Sequence, residues 1–194
     1  GACTTTILAG EGAIGTDSVF IFHEVIAGGG GASRIFDGLS GVQVNMTNTS
    51  NMPIEATEME FTRFLPENMN LRRSTGGAGE MREVWVLSGN WRFSRTTCFI
   101  AGLGGPAQVP SPWGLQGGGE GGVGAFYRVS AQDGSVTRMG HKTTSLPLKK
   151  GDVIRVITPG AGGYGDPKKR PRSQSASGRG RGKGVPPGCK GSVW

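Results

Sequence analysis

Metal-ligating side chains are scarce in this chain. Its three cysteines, Cys3, Cys98 and Cys189, are an odd number at wide spacing with no C-x-x-C pair, so neither a zinc knuckle nor a disulfide framework is supported. The two histidines, His23 and His141, lie too far apart in sequence to give a recognisable ligand spacing. No apolar run approaches the roughly 20 residues that cross a bilayer, and no basic-then-apolar export signal opens the sequence. A cytoplasmic location without membrane attachment is therefore expected. The glycine clusters at 28–31, 76–79, 117–122 and 160–165 contain no G-x-x-x-x-G-K-[ST] loop, and none sits in a strand–glycine–helix unit with a downstream acidic residue. Nucleotide phosphate binding is not expected from them; tight turning and close backbone approach at strand ends are.

Glycine is what the chain has in excess. Its 37 glycines accompany a hydrophobic content of 35%, and glycine loses more backbone freedom on folding than any other residue. A modest apolar core must offset an unusual entropic cost, which favours a partner surface over an autonomous monomer. The formal charge of +7 is unevenly placed: residues 168–194 hold eight basic groups and no acidic one, leaving residues 1–167 with a net charge of −1. The Ser/Gly/Arg/Pro-rich tail cannot bury enough apolar surface to order itself. Two segments are thus expected, a body over 1–167 and a basic low-complexity tail over 168–194. A neutral body argues against nucleic acid as the main partner, although the tail has the charge to bind RNA phosphates or an acidic face.

The fold class expected is mainly β with limited helix (α+β). Val19–Phe22 reads as a strand entering the first glycine cluster. Residues 83–87 and 91–94 read as strands joined by a hairpin at Ser88-Gly89-Asn90, followed by a strand at 97–100. Residues 126–129 and 135–138 flank Gln132-Asp133-Gly134, a second hairpin signal. Residues 152–158 alternate until Pro159-Gly160. Helix is expected near 53–62 and in the segment before Ser18.

The run Asn45-Met46-Thr47-Asn48-Thr49, continued by Asn51, Pro53-Ile54-Glu55 and Glu58, concentrates carboxamides, hydroxyls and carboxylates. Asn and Thr side chains compete with regular backbone ladders, so a capped turn is one reading: Asn51 or Thr49 as cap, Pro53 at the first helical position, Glu55 and Glu58 near the positive end of the helix. A site for positioning a substrate or partner loop is the other, with Asn45, Asn48 and Thr49 as its polar groups. The internal candidates for metal chemistry are His23 with adjacent Glu24, His141, and the carboxylates Glu55, Glu58 and Glu60. Of these, His23 and Glu24 are candidate positioning residues, His23 because it ends an apolar run just before Gly28–Gly31, where a side chain can line a cleft. Single histidines are more often structural.

Taken together in order, the motifs resemble the B-type subunit of ATP-dependent hydantoinases, also found in 5-oxoprolinases and in acetone-type carboxylases. The resemblance rests on His23-Glu24-Val25-Ile26-Ala27-Gly28-Gly29-Gly30-Gly31-Ala32, Asp37-Gly38-Leu39-Ser40-Gly41-Val42, Met46-Thr47-Asn48-Thr49 and Pro53-Ile54-Glu55. It continues through Leu71-Arg72-Arg73-Ser74, Gly76-Gly77-Ala78-Gly79, Arg82-Glu83 and Pro112-Trp113-Gly114-Leu115, and closes with 148–156 and Thr158-Pro159-Gly160-Ala161-Gly162-Gly163-Tyr164-Gly165-Asp166-Pro167. Each piece is weak alone; their colinearity over most of 19–167 is specific. Two departures stand out: Asn45 and Gln43 occupy positions where many relatives carry histidine, and the glycine-rich hairpin after Gly79 is shortened.

The resemblance implies a glycine-rich β module forming the C-terminal portion of a larger subunit, and so a split gene product, a processed fragment or a C-terminal piece. It implies ATP-coupled opening of a cyclic amide or carboxylation of a ketone, in which a stable amide or enol oxygen is phosphorylated before water or an activated carboxyl group reacts. ATP and a divalent metal are then bound outside this chain, with an A-type subunit and the remainder of a B-type subunit as partners. No cofactor-binding or metal-ligating residue is assigned here, and the isolated chain is expected to be inactive. The alternative is a non-catalytic glycine-rich interaction module whose basic tail binds an acidic partner or nucleic acid.

Overall fold

A computed structural model of the chain describes residues 3–11, 19–44, 49–50, 52–60, 64–73, 75–82, 85–94, 98–104 and 111–171. Ten strands are seen among them: β1 (Cys3–Glu11), β2 (Val19–Gly29), β3 (Ser40–Val42), β4 (Phe64–Arg73), β5 (Trp85–Phe93), β6 (Cys98–Gly104), β7 (Ala125–Val129), β8 (Val136–Met139), β9 (Leu146–Leu148) and β10 (Val153–Ile157). One helix, α1 (Ile54–Glu60), and a 3-10 turn at Pro167–Lys169 complete the inventory. The fold is mainly β with limited helix, in two five-stranded sheets ordered β3-β2-β1-β6-β9 and β4-β5-β10-β7-β8. Every strand pairing is antiparallel.

The two sheets close on one core. Leu8, Phe22, Ile26, Ile100 and Leu148 from the first sheet meet Leu87, Trp91, Phe93, Phe126, Met139, Ile154 and Val156 from the second. Period-2 alternation supplies these inward faces: along β2, Phe22, Glu24 and Ile26 are buried whereas Ile21 and His23 are exposed. Asp152, fully buried beside β10, accepts Arg128 Nε and Nη2 at 3.0 and 2.6 Å, together with the Ala131 and Lys149 amides. Burial alone would raise its pKa, but those amides and the guanidinium together hold it below the usual carboxylate value.

Three local expectations are corrected. The segment before Ser18 supplies a strand, β1, whose Thr4-Thr5-Thr6 run is β-branched; residues 12–18 lie outside the described ones. Ser88-Gly89-Asn90 makes no hairpin, because β5 runs through it unbroken between β4 and β10. Gly89 serves close approach instead: a Cβ there would strike the Trp91 indole. The strand at 98–104 accordingly joins β1 and β9 in the other sheet. The hairpin at 125–139 forms as expected, with Gly134 at φ +68° and Asp133 Oδ1 accepting the Ser135 amide.

Candidate functional site

Because successive strand residues point to opposite faces, the structure places His23 and Glu24 on opposite sides of the first sheet. His23 is exposed on the outer side of the first sheet, while Glu24 faces inward with 6% of its surface accessible. Burial pushes the Glu24 carboxyl up, partly countered by the Met52 amide and by the charge of nearby His23. Thr6 stands opposite Glu24 in register. The hydroxyls of Thr4 and Thr6 are buried with no hydrogen-bond partner among the described residues, so two unsatisfied hydroxyls share this inner face with the carboxylate. Sequence reasoning missed these threonines, since a Thr-Thr-Thr run reads simply as strand.

The described residues on either side of the polar run, Gln43 and Met52, bond to adjacent residues of β2. Gln43 Nε2 donates to the Val25 carbonyl at 2.6 Å, and the Met52 amide donates to Glu24 Oε1 at 3.3 Å. Asn45 and Asn48 lie outside the described residues; Thr49 is described and exposed. Gln43 stands at one of the two positions where the resemblance leads to histidine, and its amide bonds backbone. Downstream, α1 begins one residue later than expected, so that the Pro53 carbonyl is at the cap position and accepts both the amide and the hydroxyl of Thr57. Glu55 and Glu58 are exposed on this helix.

The glycine clusters lock together backbone to backbone. The 160–165 segment is the hub: the Gly77 amide donates to Ala161, Ala32 to Gly162, Leu115 to Gly163 and Met81 to Tyr164. A Cβ on Gly77 would meet the Gly119 carbonyl oxygen, and one on Gly163 the Ala78 carbonyl. Glycine is required here because side chains would force the segments apart. Asp37 fastens the same end. Its Oδ1 accepts the Arg82 amide at 2.9 Å, and both its oxygens are held by Arg170 at 2.7 and 2.6 Å. The Arg170 hydrogen bond keeps the Asp37 pKa low against partial burial. The boundary drawn by composition between 167 and 168 thus cuts through a contact of the body; residues 172–194 lie outside the described ones.

Among the described residues, no three His, Cys, Asp or Glu side chains are placed to hold a metal ion. No helix among them is long and apolar enough to cross a membrane.

These features define a two-sheet β module with a buried carboxylate bonded by the Met52 amide and a glycine-locked end. The chain belongs to the hydantoinase B/oxoprolinase family, whose model matches residues 1–167. It is similar to 5-oxoprolinase 1 of Arabidopsis thaliana, 33% identical over 149 residues, or 77% of this chain and 11% of that protein. In fold it is similar to nucleotide-free acetone carboxylase (TM-score 0.73, 17% identity, covering 91% of this chain and 27% of the other). An ATP-dependent caprolactamase from Pseudomonas jessenii gives a TM-score of 0.71 at 18% identity, over 90% of this chain and 32% of the other. The chain therefore spans well under half the length of the proteins it matches.

Proposed function

We propose that this chain is the C-terminal portion of a B-type subunit in an ATP-dependent cyclic-amide hydrolase or ketone carboxylase, where it supplies positioning groups rather than the nucleophile. The observation that carries this reading is the anchoring of the family's polar run at Val25 and Glu24. Two tethers to one strand fix the ends of a loop rich in Asn and Thr, and held groups orient a bound reactant without further ordering cost. In this reading Asn45, Asn48 and Thr49 bind and orient the substrate or a partner loop. Glu24 positions the loop through the Met52 amide, and His23 faces the partner across the outer sheet surface. ATP and a divalent metal, held by the other polypeptides, supply the phosphoryl chemistry.

The partners in this reading are an A-type subunit and the remainder of the B-type subunit. Exposed Ile35, Phe36, Leu39, Trp113 and Leu115 support it. These apolar side chains belong to segments that the 160–165 hub fixes, and large exposed apolar groups on a rigid frame mark interaction surfaces. The test is to make Asn48→Ala and Thr49→Val in the complete complex and compare assembly, thermal midpoint and turnover. A selective loss of turnover or assembly is expected. Unchanged turnover in both would reduce the run to a capped turn.

A further inference from the structure

The outer face of the second sheet holds a concavity of about 540 Å³ whose lining includes Asn68, Asn70, Arg72, Asn90, Tyr127 and Arg155, a size in the range of small-ligand sites. Register explains the convergence. Asn68 lies opposite Asn90, Asn70 opposite Ser88, and Arg155 opposite both Asn90 and Tyr127. Asparagine is poorly suited to strands, yet three of them occupy one face of β4 and β5. Simple solvation does not require that choice, since Thr, Lys or Glu serve on an exposed sheet face.

The charge pattern is more specific than the polarity. Three other arginines are each matched to a carboxylate: Arg92 to Glu67, Arg128 to Asp152 and Arg170 to Asp37. Arg72 and Arg155 are half-buried in the concavity, and no carboxylate lines it. Asn90 Oδ1 accepts Arg155 Nε at 3.3 Å, which steadies the guanidinium and leaves its terminal nitrogens for another group. Two cations on one wall, amides able to donate beside them, and Val136 and Ile157 as apolar lining suit an oxyanion carried on a small organic body.

We infer that this concavity binds a small organic anion through its carboxylate or phosphate oxygens, with Arg72 and Arg155 as the charge-pairing groups and Asn68, Asn70 and Asn90 orienting it. The inference does not depend on the catalytic reading above. The basic tail makes nonspecific anion binding the competing explanation, and the test separates the two.

Citrate and inorganic phosphate are titrated separately into the full 194-residue chain at constant ionic strength, with chloride as the control, while the side-chain amide signals of Asn68, Asn70 and Asn90 are followed by NMR. Saturable shifts are expected with at least one anion and none with chloride. Preference for phosphate assigns a phosphate-bearing ligand, and preference for citrate a carboxylate one. Arg72→Gln/Arg155→Gln should weaken binding at least ten-fold, and Arg179→Gln/Arg181→Gln in the tail should not. If the double variant fails to fold, Asn90→Asp supplies an internal carboxylate against Arg155 and should weaken binding similarly. No saturable shift with either anion, or a loss caused by the tail variant alone, overturns the inference.

Discussion

Arg170 clasps Asp37 with two hydrogen bonds across 133 positions of sequence, and its Nη1 also donates to the Glu80 carbonyl at 2.7 Å. One guanidinium therefore joins three separate segments at the glycine-locked end. Arg170→Ala should lower stability by about 1–3 kcal/mol, the range for charged hydrogen bonds with one partner left behind. Hydrogen exchange at the Gly38 and Arg82 amides, both donors within this knot, should accelerate more than exchange in β10. Uniform acceleration would mean that the clasp does not act locally.

Truncation follows from the same contact. Removing residues 172–194 should leave the thermal midpoint nearly unchanged, whereas removing 168–194 should lower it, because only the second deletion takes Arg170 from Asp37. Paired calorimetry of the two proteins decides the matter; equal midpoints would show that the clasp contributes nothing measurable.

Asp152→Asn should destabilise the chain by about 1.5–3 kcal/mol, since Arg128 would lose its charge partner and, of the Ala131 and Lys149 amides that bond separate oxygens, one would face the new NH2 group without its acceptor. In the folded chain the Ala131 and Lys149 amides and the Arg128 guanidinium outweigh burial and hold the Asp152 carboxyl below its ordinary value. The stability it confers is thus fully present above the unfolded carboxylate pKa and is lost as pH falls through the lower folded value. In an acid titration of the parent, stability should decline below about pH 4, with a shallower decline in the variant.

Glu24 works with the opposite sign. Its folded pKa is raised by burial, so its contribution favours folding below the unfolded carboxylate pKa and is lost as pH rises through the folded value. Glu24→Gln should hold or raise the thermal midpoint at neutral pH and flatten the pH dependence just above the carboxylate range. The same substitution should reduce turnover of the complete complex if Glu24 positions the 43–52 loop. A falling midpoint at neutral pH would show that the ionised form is the stabilising one.

Gly77→Ala should cost about 1–3 kcal/mol through overpacking, because its Cβ would press on the Gly119 carbonyl. Gly31→Ala should cost less, the nearest atom being the Gly162 oxygen at 3.9 Å. Chemical denaturation of both variants measures the difference, and equal costs would contradict the interlocked arrangement.

Period-2 patterning in β2, β7 and β10 is a local property of the chain, and so is the Asp133-Gly134 turn, where a side chain and a positive φ suffice. The family and the mainly β class were therefore legible without coordinates. The Gly89 position was not. A glycine between polar neighbours reads as a turn, and only the Trp91 ring lying over it makes it a mid-strand residue. His23 and Glu24 are likewise neighbours in sequence, but the pleat sends one to the surface and buries the other on the inner face, opposite Thr6. Arg170 belongs by composition to the basic tail and by contact to the body. The candidate loop was marked by composition alone, whereas its two tethers to β2 came from contacts between distant residues. The gathering of asparagines and of Arg72 and Arg155 on the outer sheet face depends on register between β4, β5 and β10, which is set by long-range packing that residue order does not state.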